Sequence, residues 1–363
     1  MVPLGAILTL LTDELIMRRG GHEALLIVVT TGNLAQLVVT VVTLIQGDVV
    51  LVQTSLVGTV LSNLLLMVGT GILLGGIDRF EQHFNQDAVG SLLNELVFSV
   101  AVLIIPDAFQ AFADGLESKK LERIAIHSRV TSVLLIVSYV CYATYSYNSH
   151  ASMFTAPHQK AKKWRVGNTA TDKESGIARL GLRLVASVSG TVAHTEEKTP
   201  LASVSRVTLV LAVIVDTTLL GFSTSFVCDS IDNLNQSSFH LSKVFIGLIL
   251  LPIVGCNPHA ITLARRDQML HSFALSISGS AQLLLLVLPF AVLVGWMLGN
   301  RDMTLSFDGF LVACLFISII SLKFVTAGGK SNWLEGLVLI VLYSIIALAA
   351  AEYLPNDPSV LNT

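Results

Sequence analysis

Apolar residues along the chain fall in ten blocks, at about 2–17, 24–46, 49–75, 91–113, 130–148, 207–227, 244–263, 270–297, 306–325 and 333–353, separated mostly by short polar turns. A bilayer core about 30 Å thick is crossed by about 20 apolar residues in a helix, because only a helix or a closed barrel satisfies its own backbone where no water can. The pattern predicts an all-α polytopic membrane protein of about ten transmembrane helices. The first block is short and holds Asp13 and Glu14, and nothing before it resembles the charged opening of a signal peptide. If it spans, it doubles as the insertion signal.

One long polar stretch, rich in Ser, Thr, Lys and His, divides the helices five and five. This predicts a first membrane repeat over 1–148, a linker loop over 149–206, a second membrane repeat over 207–354 and a tail over 355–363. The halves share a pattern. Gly32-Asn33-Leu34-Ala35-Gln36 is followed by Gly58-Thr59-Val60-Leu61-Ser62-Asn63 and Gly75-Gly76; Gly255-Cys256-Asn257-Pro258-His259 is followed by Ser278-Gly279-Ser280-Ala281-Gln282 and Gly295-Trp296. Gly58 to Gly75 is 17 positions, as is Ser278 to Gly295. Five is odd, so two five-helix repeats in one chain have opposite orientations across the membrane, the arrangement of many secondary transporters.

Charge sets the orientation. On a ten-helix layout 16 of the 22 Lys and Arg fall on one side with the linker, and 6 on the other. Cytoplasmic loops carry the positive excess, which places the linker in the cytoplasm and both termini opposite. Nine of the 16 lie in the linker itself, where the rule is weaker. Composition agrees with a membrane protein: 53% of residues are hydrophobic and 13% charged, against about 25% charged for a soluble domain. A soluble enzyme and a disordered chain are excluded. The net charge of −3 supplies no basic excess for a nucleic-acid partner. Cys141, Cys228, Cys256 and Cys314 show neither a zinc-ligand spacing nor a disulfide framework. No cofactor is indicated, and the expected surroundings are the lipid bilayer.

Small polar residues inside apolar blocks have a functional reading. Glycine and polar side chains can interrupt a helix in mid-membrane and free carbonyls and helix ends for a cation. They can also serve only to let helices pack closely. Asn33, Gln36, Ser62, Asn63, Ser280 and Gln282 recur in matching places of both halves, which favours the cation reading. Three acids also lie in apolar blocks, Glu95, Asp107 and Asp216, with Asp216 nearest the centre of its block. An intramembrane acid is by default a functional candidate.

The first of these stretches, with Gln53-Thr54-Ser55-Leu56 and Leu61-Ser62-Asn63-Leu64-Leu65-Leu66, resembles the first repeat of the calcium/proton exchangers of fungal and plant vacuoles, within the cation/calcium exchanger superfamily. Glu81-Gln82-His83-Phe84-Asn85, Cys228-Asp229-Ser230-Ile231-Asp232, the run from Phe245 to Gly255, and Gly329-Lys330-Ser331-Asn332-Trp333-Leu334-Glu335-Gly336 are similar to that family too. The resemblance implies alternating access around a midplane site, Ca²⁺ as transported ion with H⁺ as counter-ion, and a vacuolar or other endomembrane. It also implies one glutamate from each repeat, in a motif like Gly-Asn-Ala-x-Glu, binding Ca²⁺ and protons in turn. Two carboxylates neutralise a hard cation that wants six to eight oxygens, and when protonated they ease the return through a low-dielectric site.

The chain departs from the family at those positions. Gln36 stands where the first glutamate belongs, an amide that offers oxygen without charge and does not titrate. In the second repeat, counting forward from Gly255 puts His259 at the acidic position; counting back puts Cys256 there, since Gly32 to Gly58 is 26 positions and Gly255 to Ser278 is 23. No register between Gly255 and Arg266 recovers a carboxylate. Glu14 and Asp229 match retained acids of the family, whereas Ser225 replaces another, and the family lends Glu95, Asp107 and Asp216 no support. The family has a further helix before the segment starting at Met1, and an acidic stretch in the linker where this chain has Lys160, Lys162, Lys163 and Arg165. Two readings stand. One is a transporter, impaired or altered in ion selectivity, with a cation site of Asn33, Gln36, Ser62, Asn63, His259, Ser280 and Gln282, in which the imidazole suits a softer or monovalent ion. The other is a non-transporting paralogue acting as a membrane scaffold or dimerisation partner, of itself or of an active relative.

Overall fold

The computed structural model describes residues 22–112, 117–155, 206–235, 242–252, 259–300 and 302–353, with Leu4 and Ile7. The first apolar block beyond those two residues, most of the linker and the tail lie outside the described residues. The helices are α1 His22–Ile45, α2 Val49–Gly76, α3 Gln86–Phe112 and α4 Glu117–Thr144, which continues through a π turn at Tyr145–Ser149. After the linker come α5 Arg206–Asn235, α6 Lys243–Phe245 with a π turn at Ile246–Leu250, α7 His259–Arg265, α8 Met269–Met297, α9 Gly309–Thr326 and α10 Trp333–Glu352. Six helices among the described residues are long and apolar enough to cross a bilayer, and Val29–Ile45 and Leu211–Val227 form shorter apolar helices.

Local chemistry sets several helix starts. Asp48 accepts from the Leu51 amide at 3.1 Å and opens α2, while its other oxygen takes Lys243 Nζ at 3.2 Å. Asn332 and Glu335 form a reciprocal capping box at α10, which satisfies donors that a helix start leaves orphaned. Two starts fall earlier than the apolar blocks suggest. Asn85 Oδ1 accepts from the amides of Asp87 and Ala88, so α3 begins at Gln86 and not near 91. Helix α4 begins at Glu117 and not near 130, because Glu-Ser-Lys-Lys-Leu-Glu-Arg is built mainly of good helix formers that need no lipid.

A helix break near Gly32 is not found. Helix α1 runs unbroken through Gly32–Gln36. A glycine costs a helix only about 1 kcal/mol, too little to open a backbone that has no water to turn to. Irregularity instead takes the form of π turns, and α2 and α8 each hold one inside the helix, at Ser62–Met67 and at Leu283–Val287. These begin four residues after Gly58 and five after Ser278, in near-matching places. Such π turns concentrate at functional sites.

Loop pairing fixes the relative direction of the halves. The two-residue strand β1, Gln82–His83, lies between α2 and α3, and pairs antiparallel with β2, Lys330–Ser331, between α9 and α10. Repeats of the same direction would put the α9–α10 loop at the opposite end from the α2–α3 loop, so the pairing requires inversion. The other end agrees: Gln53, near the start of α2, donates to the carbonyls of Thr304 at 3.2 Å and Ser306 at 3.1 Å in the α8–α9 loop. Ser128 Oγ in the first half of α4 accepts from the Leu305 amide in that loop at 3.1 Å.

The core is exchanged between repeats. Helices α6 and α7 pack on α2, α1 packs on α8, α10 packs on the second half of α2, and α4 packs on the second half of α8. Apolar 18-residue stretches of α2 and α8 are 72% and 78% buried, against 28% for those of α4 and α10. Leu64, Leu65, Phe273, Leu284 and Leu339 belong to one continuous core, while Val133, Leu134, Phe222, Phe226, Ile345 and Leu348 face outward. Close approach needs glycine where α2 crosses α6. A Cβ on Gly58 would run into the Leu248 carbonyl and come within 2.7 Å of Pro252 Cγ, and one on Gly247 would run into the Thr54 hydroxyl.

Candidate functional site

The predicted polar residues of α1, α2 and α8 converge between the repeats. Asn33 Nδ2 donates to the Gly279 carbonyl at 3.0 Å and to Gln282 Oε1 at 2.8 Å. Gln282 Nε2 in turn donates to Tyr139 Oη at 3.0 Å and to Thr30 Oγ1 at 3.3 Å. Gln282 immediately precedes the π turn of α8, and Ser62 opens that of α2. A Cβ built on Gly279 would stand 3.9 Å from both Asn33 Nδ2 and Asn63 Nδ2. Both asparagines therefore flank this glycine.

Gln36, a turn beyond Asn33 on α1, meets α2. Its Nε2 donates to Ser55 Oγ at 3.4 Å, and Thr59 Oγ1 lies 3.2 Å from its Oε1. The single Thr59 proton also reaches the Ser55 carbonyl at 2.7 Å. Shared between two acceptors, that proton engages at most one of the two lone pairs of Gln36 Oε1, which keeps acceptor capacity to spare. Ser62 is 1% exposed and Ser280 fully buried, and Ser280 Oγ folds back to the Ser276 carbonyl of its own helix at 2.9 Å. The hydroxyl of Ser280 thus serves its own helix.

Several participants escape sequence reasoning. Tyr139 and Tyr142 on α4 reach α8, the first through Gln282 and the second through Ser278 Oγ at 2.9 Å. Their spacing of three, continued by buried Ser146, is a helical face that could have been found by looking for polar residues at that period. Thr30 of α1 accepts from Gln282, and Ser55 and Thr59 of α2 meet Gln36.

The predicted acids are dispersed. Glu95 sits on α3 and accepts from Ser138 Oγ of α4 at 3.1 Å. Asp216 is 4% exposed on α5, and its Oδ2 has no hydrogen-bond partner among the described residues. The side chains of Asp107, Asp229 and His259, the last opening α7, lie outside the described residues, as does all of Glu14. Among the described residues no three of His, Cys, Asp and Glu gather where a metal ion would sit. Chemically, the junction of α1, α2 and α8 offers amide and hydroxyl oxygens to a cation, with no formal charge on those three helices at that depth.

Comparison with known proteins adds the family. The family model described as sodium/calcium exchanger protein matches residues 7–148 and 208–351. The "Vacuolar calcium ion transporter" of Cryptococcus neoformans var. grubii is 29% identical, over 97% of this chain and 67% of that protein. The "Ca(2+)/H(+) antiporter" of Synechocystis is 28% identical, over 96% of this chain and 88% of its own length. Among solved structures, the Ca²⁺/H⁺ antiporter protein YfkE superposes with a TM-score of 0.66 at 20% identity, covering 97% of this chain and 89% of that one. The fold is accordingly that of an all-α polytopic membrane exchanger, about ten transmembrane helices in two inverted five-helix repeats. By a match that takes in both repeats, the chain belongs to the sodium/calcium exchanger protein family.

Proposed function

We propose that the chain is a calcium/proton antiporter-like secondary transporter of a vacuolar or other endomembrane, with the linker on the cytoplasmic side and an altered ion site. The observation that supports it most is the bond from Asn33 to Gln282 across the repeats, next to the π turns inside α2 and α8. Inverted repeats that meet through polar groups at the midplane suit alternating access, in which one half rocks against the other. In this reading the ion passes between Asn33, Gln36, Ser62 and Asn63 on one repeat and His259, Ser280 and Gln282 on the other. Asn33 and Gln36 turn carbonyl oxygens to the ion, and Gln282 orients Asn33. The relatives, matched over nearly the whole chain, are named as transporters, which disfavours the scaffold reading.

Amides substitute poorly for carboxylates around Ca²⁺. A doubly charged ion leaving water for such a site regains little of its hydration, so selectivity shifts toward ions that are cheaper to dehydrate. The test is Ca²⁺ uptake into liposomes with an acidic interior, by the unmodified chain and by a Gln36→Glu variant carrying a restored acidic motif in the second repeat. Uptake by the unmodified chain is expected, at a rate below that of the restored variant. Uptake by the restored variant alone would mean that the scaffold still rocks and the lost carboxylates silence it. Absence of uptake by both would overturn the reading.

A further inference from the structure

Asp216 is the buried titratable group that the junction of α1, α2 and α8 leaves unused. Helix α5 turns Asp216, Leu220 and Thr224 inward, at spacings of four and at 4%, 4% and 1% exposure, while Ile214, Val215, Leu219 and Phe222 beside them are exposed. Carboxylate oxygens nearly always find a donor when buried. Asp216 Oδ2 is buried and has none among the described residues.

Two neighbours give its depth. Gly221 lies against α1, where a Cβ built on it would stand 3.3 Å from Val38 and 3.8 Å from Val42. Val227 packs with Leu51 and Ile246, at the end of the molecule where α1 finishes and α2 starts, so α1 and α5 run in the same direction. Asp216 stands five residues before Gly221, about 7.5 Å at the helical rise, level with residues 33–37 of α1. It also stands eleven residues before Val227, and eleven residues separate Leu51 from Ser62 on α2. The two counts agree on the depth of Asn33, Gln36 and Ser62.

Among the described residues the neighbouring helices offer this carboxyl no counter-charge. Helix α1 from Val29 to Ile45 and helix α2 from Val49 to Gly76 hold no titratable residue. Lys243 at the start of α6 is engaged with Asp48, and His271 is the one titratable residue of α8. A lone buried carboxyl at the depth of spare amide and hydroxyl oxygens is suited to alternate between a proton and a cation.

We propose that Asp216 is the carboxylate of the exchange site, supplied from α5 in place of the one missing at Gln36. Ionised, it binds the cation together with the oxygens at its depth. Protonated, it carries the proton back and gives it up to the opposite aqueous side as the next cation enters. This rests on the exchange reading, and the test separates the two.

The full chain in detergent is treated with dicyclohexylcarbodiimide, which modifies protonated carboxyl groups in apolar surroundings, and peptide mass spectrometry reads the adduct at Asp216. Saturating Ca²⁺ is expected to lower labelling about fivefold or more by displacing the proton. No adduct at Asp216, or an adduct indifferent to Ca²⁺, overturns the proposal. In liposomes Asp216→Asn is expected to lose about tenfold or more of the uptake, Asp216→Glu to retain much of it, and the double variant Asp216→Asn with Gln36→Glu to regain it by moving the carboxylate to α1. Uptake by Asp216→Asn equal to that of the unmodified chain overturns the proposal. Ca²⁺ protection of Asp216 in a chain that takes up nothing leaves the binding site standing and removes the exchange reading.

Discussion

Asn33 of the first repeat donates to Gln282 of the second at 2.8 Å, and the same nitrogen holds the Gly279 carbonyl at 3.0 Å. A single amide thereby ties α1 to α8 at two points. Bonds of this kind between membrane helices contribute about 0.6 kcal/mol on average and up to about 1.7. Replacing Asn33 and Gln282 by Leu singly and together, with thermal denaturation in detergent as the readout, should reveal a coupling of about 1 kcal/mol. A coupling near zero would show that the bond does not fasten the repeats.

Gly58 and Gly90 make a matched pair of tests. A methyl on Gly58 meets the Leu248 carbonyl and Pro252, whereas one on Gly90 meets nothing within 4 Å. Gly58→Ala should destabilise by about 1–3 kcal/mol through overpacking, and Gly90→Ala should stabilise by about 0.5–1 kcal/mol through helix propensity. The melting temperatures of the purified variants decide, and equal shifts would refute the crossing geometry of α2 and α6.

Tyr353, just past α10, donates to Asp308 Oδ1 at 2.6 Å and stacks on Phe310 with ring centroids 4.4 Å apart. Burial, followed by the hydrogen bond and the charge of Asp308, pushes its phenol up to about 12. A raised acid holds its proton more tightly in the folded state. Its contribution to stability is therefore whole below pH about 10 and is lost as pH rises toward about 12. The difference in tyrosinate absorbance between the unmodified chain and Tyr353→Phe should isolate one residue that titrates late. Asp308→Asn keeps the cap on the Phe310 amide but should bring the phenol down.

Lys330 donates to Glu81 at 2.8 Å at the mouth of the β1–β2 pair. The hydrogen bond, helped by the charge of the partner, lowers the Glu81 carboxyl below 4.5 and raises the Lys330 ammonium above 10.5. The Glu81 contribution is present above pH 4.5 and is lost as pH falls through its folded value, and that of Lys330 is present below pH 10.5 and is lost as pH rises through its own. Hydrogen exchange at the Phe84 amide, which donates to the Gly329 carbonyl, should quicken relative to a Glu81→Gln control only outside that window. The effect should shrink in high salt, since both groups are exposed.

Much of the architecture could be read before the structure, because each relevant signal was local. Apolar blocks gave the helices, and the shared spacing from Gly58 to Gly75 and from Ser278 to Gly295 gave two repeats. Starts set by capping were harder: Asn85 lies outside any apolar run, yet its carboxamide opens α3. The site was half legible. Asn33 and Gln282 could be picked out as polar intruders, but their pairing is a relation across 249 positions that no local pattern encodes. Tyr139 and Tyr142 draw no notice in the sequence, because an aromatic residue in an apolar block is accounted for by packing alone. The general expectation that glycine and polar residues interrupt a membrane helix is not met at Gly32–Gln36, where low propensity is outweighed by the cost of an unpaired backbone in lipid.

The crossing of partners between the repeats has a consequence for how the chain is made. Helix α2, born early, keeps its glycine-lined groove open until α6, α7 and α10 emerge, and α8 closes only over α1 and α4 already in place. The single chain therefore has the geometry of two half-length copies that have traded helices, an intramolecular counterpart of domain swapping. A ribosome that stopped after the linker would release a half whose central groove fits a second chain inserted the opposite way up.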